Sequence, residues 1–596
     1  MPEETLPRMF WARVERLGDR PAQKAKVSGV WAETTWRQLG ETIRELALGL
    51  LALGRQPGEA VALLSQSRAE WVQADLAILS AGGVTIPIYP SYPAEQLAYI
   101  VEDAEAKAIF VEDETQLAKL LEVRARLKGL EQIVLISGAA GAADPGILDW
   151  ATLRARGRER AAELGPALEA RLAAARAEDV ATIVYTSGTT GPPKGVVQTH
   201  VNHLAMLRST GQVLPAPEGA VHLLFLPLAH SFARLEAYQG IHNGFVTAFA
   251  ESLEKVSDNL REVSPYFICS VPRLFEKVYA RILAQVEGGQ SLKKRLFYWA
   301  LGVGRAVSRL QQARRPIPIW LGLRHVLAHR LVFGKLHRAL GGRLRFCVSG
   351  GAPLGREIAE FFHAAGILIL EGYGLTETCP ALTFNRADRF KFGTVGQALP
   401  GVTLRIAGDG EILARGPNIA AGYYKKPEAT AEVFDAEGWF HTGDIGVLDA
   451  EGFLTITDRK KDLLVTAGGM NVAPQNIENL LQGDPLVSQA VVYGDRRPYP
   501  VVLLTLNPEG LARFAGALGL PGLPHAELAR HPMIVERVRQ IVEAANARLA
   551  SYARVKRFAV LPEEFTQVTG ELTPTFKVRR KVVAEKYRDL LESLYT

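Results

Sequence analysis

Residues 185–195 form the most constraining stretch of the chain, a loop rich in glycine, hydroxyl groups and lysine with the sequence YTSGTTGPPKG. It follows directly on the apolar, partly β-branched run ATIV at 181–184, which predicts a strand that ends where the loop begins. Glycines let backbone N–H groups approach anionic oxygens closely, hydroxyls add short donors, and Lys194 brings a positive charge on a flexible stem. The loop therefore predicts a phosphate site at the end of a strand.

The spacing of this loop excludes one common class of phosphate-binding protein. A Walker loop needs G-x-x-x-x-G-K followed by Ser or Thr, whereas Lys194 follows two prolines and precedes Gly195. This removes the ordinary P-loop NTPase interpretation. The alternative that remains is a glycine-rich surface turn without a ligand.

The length of 596 residues predicts several packed units, because single hydrophobic cores stop growing at about 250–300 residues. A hydrophobic content of 48% with 22% charged residues is ordinary for a globular protein. Cys269, Cys347 and Cys379 lie far apart without a C-x-x-C pair, so neither a disulfide framework nor a zinc site is indicated. Charged residues near the start break any signal-peptide core and no 18-residue apolar run occurs, so we expect a cytoplasmic protein.

One segment accounts for the net charge of +6. Residues 291–340 contain eleven Lys or Arg and no Asp or Glu, interleaved with apolar residues such as Trp299 and Trp320. Basic and apolar helical segments of this type can lie on an anionic membrane, which allows peripheral contact with the inner face of the membrane. The alternative is that these are ordinary surface helices with a basic face toward solvent, since Pro316 and Pro318 interrupt the helical spacing of the apolar residues. No nucleic-acid recognition motif accompanies the segment, so nucleic acid is not an expected partner.

The order of the predicted elements indicates an α/β protein. Between residues 36 and 370, amphipathic helices alternate with short apolar strands. After Gly393 the pattern changes to short β units with tight turns, which predicts a small barrel or meander. The charged run DRKKD at 458–462 then separates this part from a terminal α+β portion of about 135 residues, long enough for a domain of its own.

Three further loops follow predicted strands and carry side chains that suit the same ligand. The sequence GGAP at 350–353 has small residues that let a flat ring lie against the backbone. The sequence EGYGLTET at 371–378 offers Glu377, and magnesium is usually held by one or two carboxylates plus substrate phosphates. The sequence WFHTGD at 439–444 offers Asp444 as an acceptor for both ribose hydroxyls. Each loop alone is equally compatible with a turn or a helix cap.

Together and in this order, the motifs resemble the adenylate-forming superfamily, which includes acyl-CoA synthetases, luciferases and nonribosomal adenylation domains. The resemblance covers nearly the whole chain: the phosphate loop, YGLTE at 373–377, TGD at 442–444, DRKK at 458–461 and PTFK at 574–577. It implies an α/β fold with a large N-terminal body of two helix-flanked sheets plus a small β-barrel, and a mobile α+β C-terminal lid domain. The implied divisions are an AMP-binding N-terminal domain at 1–457, with the basic insert at about 285–342, a hinge at 458–461 and the lid domain at 462–596.

The resemblance also implies roles for individual residues. Those expected around the phosphates are Thr186, Ser187, Gly188, Thr189, Thr190 and Lys194. Those expected around adenine are Gly351, Ala352, Pro353, Tyr373 and Gly374. The remaining assignments are Thr376 and Glu377 near AMP and magnesium, Asp444 and Arg459 at the ribose, Lys461 as the hinge and Lys577 as the catalytic lysine. Thr186 and Glu377 join Lys577 as the expected catalytic groups.

The chemistry of this family needs no nucleophilic side chain. The substrate carboxylate attacks the α-phosphate of ATP, pyrophosphate leaves with magnesium, and the mixed anhydride is then attacked by a thiol. The protein contributes positioning and charge neutralisation, and a mobile lysine such as Lys577 can bridge the two anions. Many members have glycine before this lysine. Here Phe576 precedes it, which is similar to the T-P-T-x-K pattern of the long-chain acyl-CoA synthetase branch.

The substrate class rests on two more segments, LPLAHSF at 226–232 and VPRLFEK at 271–277, which look like the bacterial long-chain fatty acid branch. The resemblance thus implies a long-chain fatty acid–CoA ligase that uses ATP, Mg²⁺ and CoA. His230 is expected near the acyl pocket, or else as a packed structural residue. His325 and His329 are spaced as in a zinc helix, but the intervening glutamate of that motif is missing, so no metal is expected there.

Two alternatives stay open at this point. An acyl-AMP ligase would hand the acyl group to a carrier protein instead of CoA, although no carrier domain is attached and no insertion that would block CoA follows Asp444. A non-catalytic nucleotide or acyl-chain binding protein would keep the fold without the chemistry. The sequence is also compatible with an oligomer.

Overall fold

The structure is a computed structural model that describes residues 4–139, 146–186, 192–467, 470–520, 522–573 and 577–596, without the side chains of Val465 and Asn471. Two large sheets dominate its first part. The nine strands of the first sheet are, in spatial order, Gln397–Ala398, Thr383–Phe384, Leu368–Tyr373, Phe346–Ser349, Phe267–Ser270, Val221–Leu224, Val246–Phe249, Pro21–Val27 and Val30–Thr35. The eight strands of the second are Gly422–Tyr423, Lys194–Thr199, Val180–Thr186, Val84–Ile88, Ala60–Leu64, Ala108–Val111, Gln132–Leu135 and Ile147–Asp149.

The centre of each sheet is parallel and covered by helices on its faces. Strands Ala60–Leu64 and Val84–Ile88 are buried at every position, as expected for parallel strands, whose two faces both meet helices. The α-helices of this part are Leu6–Leu17, Trp36–Ala52, Ala69–Ser80, Ala94–Asp103, Glu114–Glu122, Trp150–Glu159, Ala161–Ala174, His200–Gly211, Ser231–Asn243, Val256–Val263, Pro272–Glu287, Ser291–Gln312, Ile319–Ala328, Gly334–Ala339, Arg356–Ala364 and Pro427–Ala431. This arrangement confirms the predicted α/β class with two helix-flanked sheets.

A third, smaller sheet is antiparallel. Its strands are, in spatial order, Thr403–Ile406, Glu411–Arg415, Phe440–Leu448 and Leu454–Arg459. The sequence predicts a barrel or meander here, and the described residues form the meander. Its four strands neighbour one another in chain order, and the two edge strands do not pair with each other. Four strands, two of them with only four and five residues, are too few to close around a core.

The C-terminal part has its own α+β core. A three-stranded sheet is formed by Val487–Tyr493, Val501–Leu506 and Arg557–Val560, and a two-stranded ribbon by Leu464–Val465 and Asn471–Val472. The accompanying α-helices are Pro474–Gln482, Pro508–Ala517, His525–Arg530, Pro532–Asn546, Arg580–Lys586 and Arg588–Ser593. Buried apolar residues from both the sheet and the helices pack together here, separately from the cores of the large sheets.

The basic segment is helical and belongs to the connection in the chain between two neighbouring strands of the first sheet. Strands Phe267–Ser270 and Phe346–Ser349 pair in parallel, and the chain between them forms helices Pro272–Glu287, Ser291–Gln312 and Ile319–Ala328 and a π-helical turn His329–Phe333. Pro316 and Pro318 lie in the break before Ile319–Ala328, as the sequence predicts. Among the described helices, none has the length and continuous apolar character needed to cross a membrane.

A buried ion pair joins the helices of the two large sheets. Arg234, in helix Ser231–Asn243 of the first sheet, binds Asp75, in helix Ala69–Ser80 of the second, with Nη2–Oδ1 and Nε–Oδ2 distances of 2.6 and 3.2 Å. Both side chains are 1% exposed. Tyr238 donates to the same carboxylate at 2.7 Å, and Arg234 also donates to the hydroxyl of Thr182 on strand Val180–Thr186. This network fixes the strand that leads into the phosphate loop.

The buried pair generates a stability prediction. Replacing Asp75→Asn leaves the Arg234 charge buried without its counter-ion, so we expect the free energy of unfolding to fall by about 3–5 kcal/mol. The measurement is urea unfolding followed by intrinsic fluorescence. The control is Asp19→Asn, because Asp19 binds Arg37 through an exposed pair of similar length, 2.9 Å. Equal midpoints for the two variants would contradict the role given to the buried pair.

Candidate active site

A cavity of about 2230 Å³ lies where the large sheets, the small sheet and the C-terminal part meet. Its walls include the ends of strands Phe346–Ser349 and Leu368–Tyr373 and the start of helix Pro272–Glu287. Ligand sites of parallel sheets gather at the carboxyl ends of strands, which is the edge exposed here. The loops that the sequence analysis singled out converge on this cavity.

The described ends of the phosphate loop face the cavity. Thr186 closes strand Val180–Thr186 and pairs with Lys194, which opens the neighbouring strand. The ammonium of Lys194 lies 5.1 Å from the ring centre of Tyr423, where the face of the ring attracts a cation. The other predicted phosphate ligands lie outside the described residues: Ser187, Gly188, Thr189 and Thr190.

The residues predicted for adenine also line the cavity. Gly351 has φ of 82°, a left-handed conformation that favours glycine, and the small residues Ala352 and Pro353 follow it. Gly374 has a packing reason to be glycine, because a Cβ there would lie 2.0 Å from the backbone oxygen of Pro380. Tyr373 stands beside it at the end of strand Leu368–Tyr373.

Asp444 is held by two groups before any ligand is considered. The Tyr373 hydroxyl donates to Oδ2 at 2.6 Å, and Arg459 Nε lies 3.1 Å from Oδ1. Asp444 and Arg459 are direct cross-strand neighbours in the small sheet, which explains their pairing. Burial raises the pKa of Asp444, although Arg459 and Tyr373 oppose this by stabilising the carboxylate. Because a carboxylate has about four lone-pair directions, two remain for a diol.

Glu377 and Thr376 form a short 3-10 turn on the cavity wall. The Tyr423 hydroxyl donates to Glu377 Oε1 at 2.8 Å, and the backbone oxygen of Thr376 accepts from Gln198 at 2.6 Å. One carboxylate oxygen of Glu377 is thus oriented while the other has no protein donor among the described residues. The described residues contain no cluster of three potential metal ligands, so a cation here would need oxygen ligands from a substrate.

Lys577, from the C-terminal part, reaches the same cavity. Its backbone pairs with that of Thr573: the Lys577 N–H donates to the Thr573 hydroxyl at 3.0 Å and the Lys577 carbonyl accepts from the Thr573 N–H at 2.8 Å. The side chain is exposed to the cleft, and its ammonium lies within electrostatic range of Arg459, Asp444 and Glu377. Desolvation and the Arg459 charge together lower the pKa of Lys577 to about 8. Its neighbours Pro574, Thr575 and Phe576 lie outside the described residues.

His230 combines the two roles that the sequence left open. Its Nδ1 accepts from the N–H of Phe232 at 3.1 Å and so caps helix Ser231–Asn243, while the ring lines the cavity. Burial and then the nearby Lys577 charge lower the pKa of His230 to about 3. The ring is therefore neutral at physiological pH, with its remaining proton on Nε2.

In the predicted hinge, DRKK at 458–461, one lysine forms ion pairs and the other is exposed. Lys460 binds Asp409 and Glu411 at 2.7 and 2.9 Å, whereas Lys461 is exposed in the turn that follows strand Leu454–Arg459. Two ion pairs then join the C-terminal part to the body: Arg281 to Glu509 at 3.1 Å and Arg548 to Glu357 at 3.0 Å. All four of these side chains are exposed, so the contacts are weak and reversible.

Glu371 belongs to the motif EGYGLTET, but its place in the site could not be predicted from the sequence. This carboxyl is 5% exposed on the cavity wall, and burial raises its pKa to about 8. The backbone N–H of Leu354, directly after the GGAP loop, lies close enough to this carboxyl to offset part of the rise in its pKa. The sequence signal for this residue is that the motif EGYGLTET at 371–378 contains a second carboxylate besides Glu377.

Comparison with known proteins agrees with this geometry. The AMP-binding enzyme family matches residues 10–424, and the AMP-binding enzyme C-terminal domain matches residues 461–596. A long-chain-fatty-acid–CoA ligase of Mycobacterium tuberculosis is 40% identical over 574 residues, which cover 96% of this chain and 93% of the relative. A long-chain-fatty-acid–CoA ligase of Xenopus laevis is 30% identical over 629 residues, which cover 100% of this chain and 84% of the relative.

The fold has solved counterparts. The adenylation domain of a carboxylate reductase from Mycobacterium chelonae matches with a TM-score of 0.74 and 24% identity, over 100% of this chain and 92% of that chain. At this identity the likeness concerns the fold alone. The two family matches together span most of the sequence, and the chain therefore belongs to the AMP-binding enzyme family, the adenylate-forming group that the order of its loops predicts.

Proposed function

We propose that this protein is an AMP-forming long-chain fatty acid–CoA ligase. It would join a fatty acid to AMP with release of pyrophosphate and then transfer the acyl group to CoA. The observation that carries the proposal is that Lys577 lines the cavity within electrostatic range of Asp444 and Glu377. The long-chain substrate follows the names of relatives that cover nearly the whole chain.

The first half-reaction requires two anions to approach each other. The fatty acid carboxylate attacks the α-phosphate, the P–O bond to the β-phosphate breaks, and pyrophosphate departs. Lys577 would neutralise both the carboxylate and the α-phosphate, and charge stabilisation of this kind in a partly desolvated site is usually the largest catalytic contribution. Lys194 and Thr186 would hold the departing phosphates from the other wall.

The nucleotide would be oriented by groups that the protein already holds in place. Asp444 would accept from the ribose hydroxyls while Tyr373 and Arg459 keep its carboxylate fixed. The GGAP loop would hold adenine. The free oxygen of Glu377 fits Mg²⁺, which would neutralise part of the phosphate charge when bound.

The fatty acid chain would occupy the apolar side of the same cavity. The apolar residues lining it include Leu214, Phe225, Leu235, Leu253, Val256 and Val271. His230 would stand at the mouth, where its Nε2 proton can donate to an oxygen of the carboxylate. A neutral donor suits this position, because a buried imidazolium would compete with the Lys577 ammonium for the substrate carboxylate.

The second half-reaction would use the same cavity after the C-terminal part has moved. We place the hinge at Lys461, because it is exposed in the turn after the small sheet. Rotation there would withdraw Lys577 and break the exposed pairs Arg281–Glu509 and Arg548–Glu357. A cytoplasmic location belongs to the same proposal.

The direct test is product analysis with purified protein. We expect ATP, Mg²⁺, CoA and a fatty acid series from acetate to C20 to yield acyl-CoA and AMP, with rates highest for the long chains. Mass spectrometry identifies the products, and a reaction without CoA is the control. Accumulation of acyl-AMP without thioester would favour a carrier-loading ligase instead, and absence of any nucleotide turnover would indicate a binding protein.

The lowered pKa of Lys577 generates a pH prediction for adenylation. The protonated amine carries the charge that the reaction needs, and the pKa of about 8 means that this form is lost as the pH rises through 8. We expect kcat/KM for pyrophosphate release to fall above this pH in the wild type. Lys577→Arg keeps its charge to much higher pH, so its alkaline decline should move upward.

A matched variant separates charge from shape at this position. Lys577→Met keeps much of the side-chain length but has no charge, and we expect adenylation to fall roughly 100-fold or more, as for the loss of one strong electrostatic donor. An identical alkaline decline in the wild type and Lys577→Arg would show that another group titrates. Thioester formation from added acyl-AMP serves as the check that Lys577→Met is folded.

A further inference from the structure

The basic insert carries an apolar face that no described residue covers. Between residues 317 and 331, its large exposed apolar side chains are Ile317, Ile319, Trp320, Leu323, Val326, Leu327 and Leu331, which together we call the insert surface. Ile319 is 84% exposed, Leu323 68% and Val326 66%. Soluble proteins rarely expose so many large apolar side chains within fifteen residues unless another apolar phase meets them.

The surface exists because helix Ile319–Ala328 is apolar on two sides. One stripe, Leu321 and Ala328, is buried against helix Ser291–Gln312 together with Phe333. The opposite stripe, Ile319, Leu323 and Val326, recurs at helical spacing and points away from that contact. The inner stripe fixes the helix to the protein, so the outer stripe is presented on a rigid support.

Positive charge surrounds the insert surface. Residues 291–340 contain eleven Lys or Arg and no acidic residue, and the structure pairs only Lys294 with a carboxylate, Glu287, among the residues that it describes. Arg314 and Arg315 are exposed directly before the apolar stretch, and Arg324 lies 5.8 Å from the ring centre of Trp320. An apolar centre with a basic rim and an interfacial tryptophan matches the chemistry of an anionic lipid surface.

We propose that the insert surface docks the protein on an anionic membrane, with helix Ile319–Ala328 lying in the plane of the headgroups. At ten residues this helix is too short to span a bilayer, so it would bury one side only. A nucleic acid would satisfy the arginines but leave the apolar centre exposed to water. An acidic protein partner or a second copy of the chain is the competing occupant.

The use of this docking rests on the proposed function, whereas the docking itself does not. Long-chain fatty acids partition into bilayers, so an enzyme that consumes them gains from proximity to that phase. Two helices connect the insert surface to the cavity: Pro272–Glu287 begins at the cavity wall and packs against Ser291–Gln312, which supports Ile319–Ala328. Docking would place the protein that carries the cavity on the phase that holds its substrate.

Vesicle flotation tests the docking with the full chain. The probes are vesicles of phosphatidylcholine alone and of phosphatidylcholine with a quarter phosphatidylglycerol, at about 50 and about 500 mM salt. We expect the wild type to float with the anionic vesicles at low salt. Ile319→Glu/Leu323→Glu should bind at least tenfold more weakly, and Arg314→Gln/Arg315→Gln about 25-fold more weakly on anionic vesicles at low salt, since each basic residue contributes about fivefold.

The control carries the same change of charge elsewhere. Val30→Glu/Val568→Glu also replaces two exposed valines, 70% and 97% exposed, with acids, and it should float like the wild type. Circular dichroism of each variant reports its folding. Failure of the wild type to float, or equal flotation of Ile319→Glu/Leu323→Glu, would overturn the proposal. Self-association of the wild type that this variant abolishes, without flotation, would instead make the insert surface a protein interface.

Activity distinguishes this inference from the proposed function. Ile319→Glu/Leu323→Glu should form acyl-CoA at the wild-type rate from a short, water-soluble fatty acid and more slowly from hexadecanoate supplied in anionic vesicles. Equal rates with the vesicle-borne acid would overturn the link between docking and substrate supply. A wild type that forms no acyl-CoA from any acid would refute the proposed function, while the flotation result would still decide the docking.

Discussion

The buried pair of Arg234 and Asp75 is the interaction on which the rest of the structure depends. It joins a helix of one large sheet to a helix of the other, and through Thr182 it reaches the strand that enters the phosphate loop. Helix Ser231–Asn243, which carries Arg234, begins at His230 on the cavity wall. One desolvated contact thus sets the distance between the phosphate side of the site and its acyl side. Such a pair contributes more to relative position than to net stability.

The cavity gains its chemistry from charges contributed by separate parts of the chain. Lys194 comes from the second sheet, Asp444 and Arg459 from the small sheet, and Lys577 from the C-terminal part. Each cation lowers the cost of bringing anionic substrates together, and the crowding of Lys577 and Arg459 is relieved when those anions arrive. Lys577 stands on the C-terminal part, whose ion pairs Arg281–Glu509 and Arg548–Glu357 with the body are exposed. Under the proposed function, it is therefore the charge that would leave between the two half-reactions.

The sequence was sufficient for the order of the motifs, the α/β class and the convergence of the loops on one site, because each loop follows a predicted strand and such strands end at a common edge. It could not reveal contacts between distant residues. Arg234 and Asp75 are 159 residues apart, and Tyr423 reaches Glu377 over 46. Pairing across such distances is decided by tertiary packing. The burial of the Glu371 carboxyl depends on the same packing and could not be predicted from the sequence.

The central claim is that the present arrangement of the C-terminal part serves adenylation and must change for thioester formation. Cysteines at Arg281→Cys and Glu509→Cys, joined by a short cleavable bismaleimide, would lock it, because Arg281 and Glu509 are in contact and the native cysteines are buried. The account predicts that the locked enzyme releases pyrophosphate and retains acyl-AMP, with thioester formation reduced at least about 100-fold until the link is cleaved. Formation of acyl-CoA at the unlocked rate would contradict it.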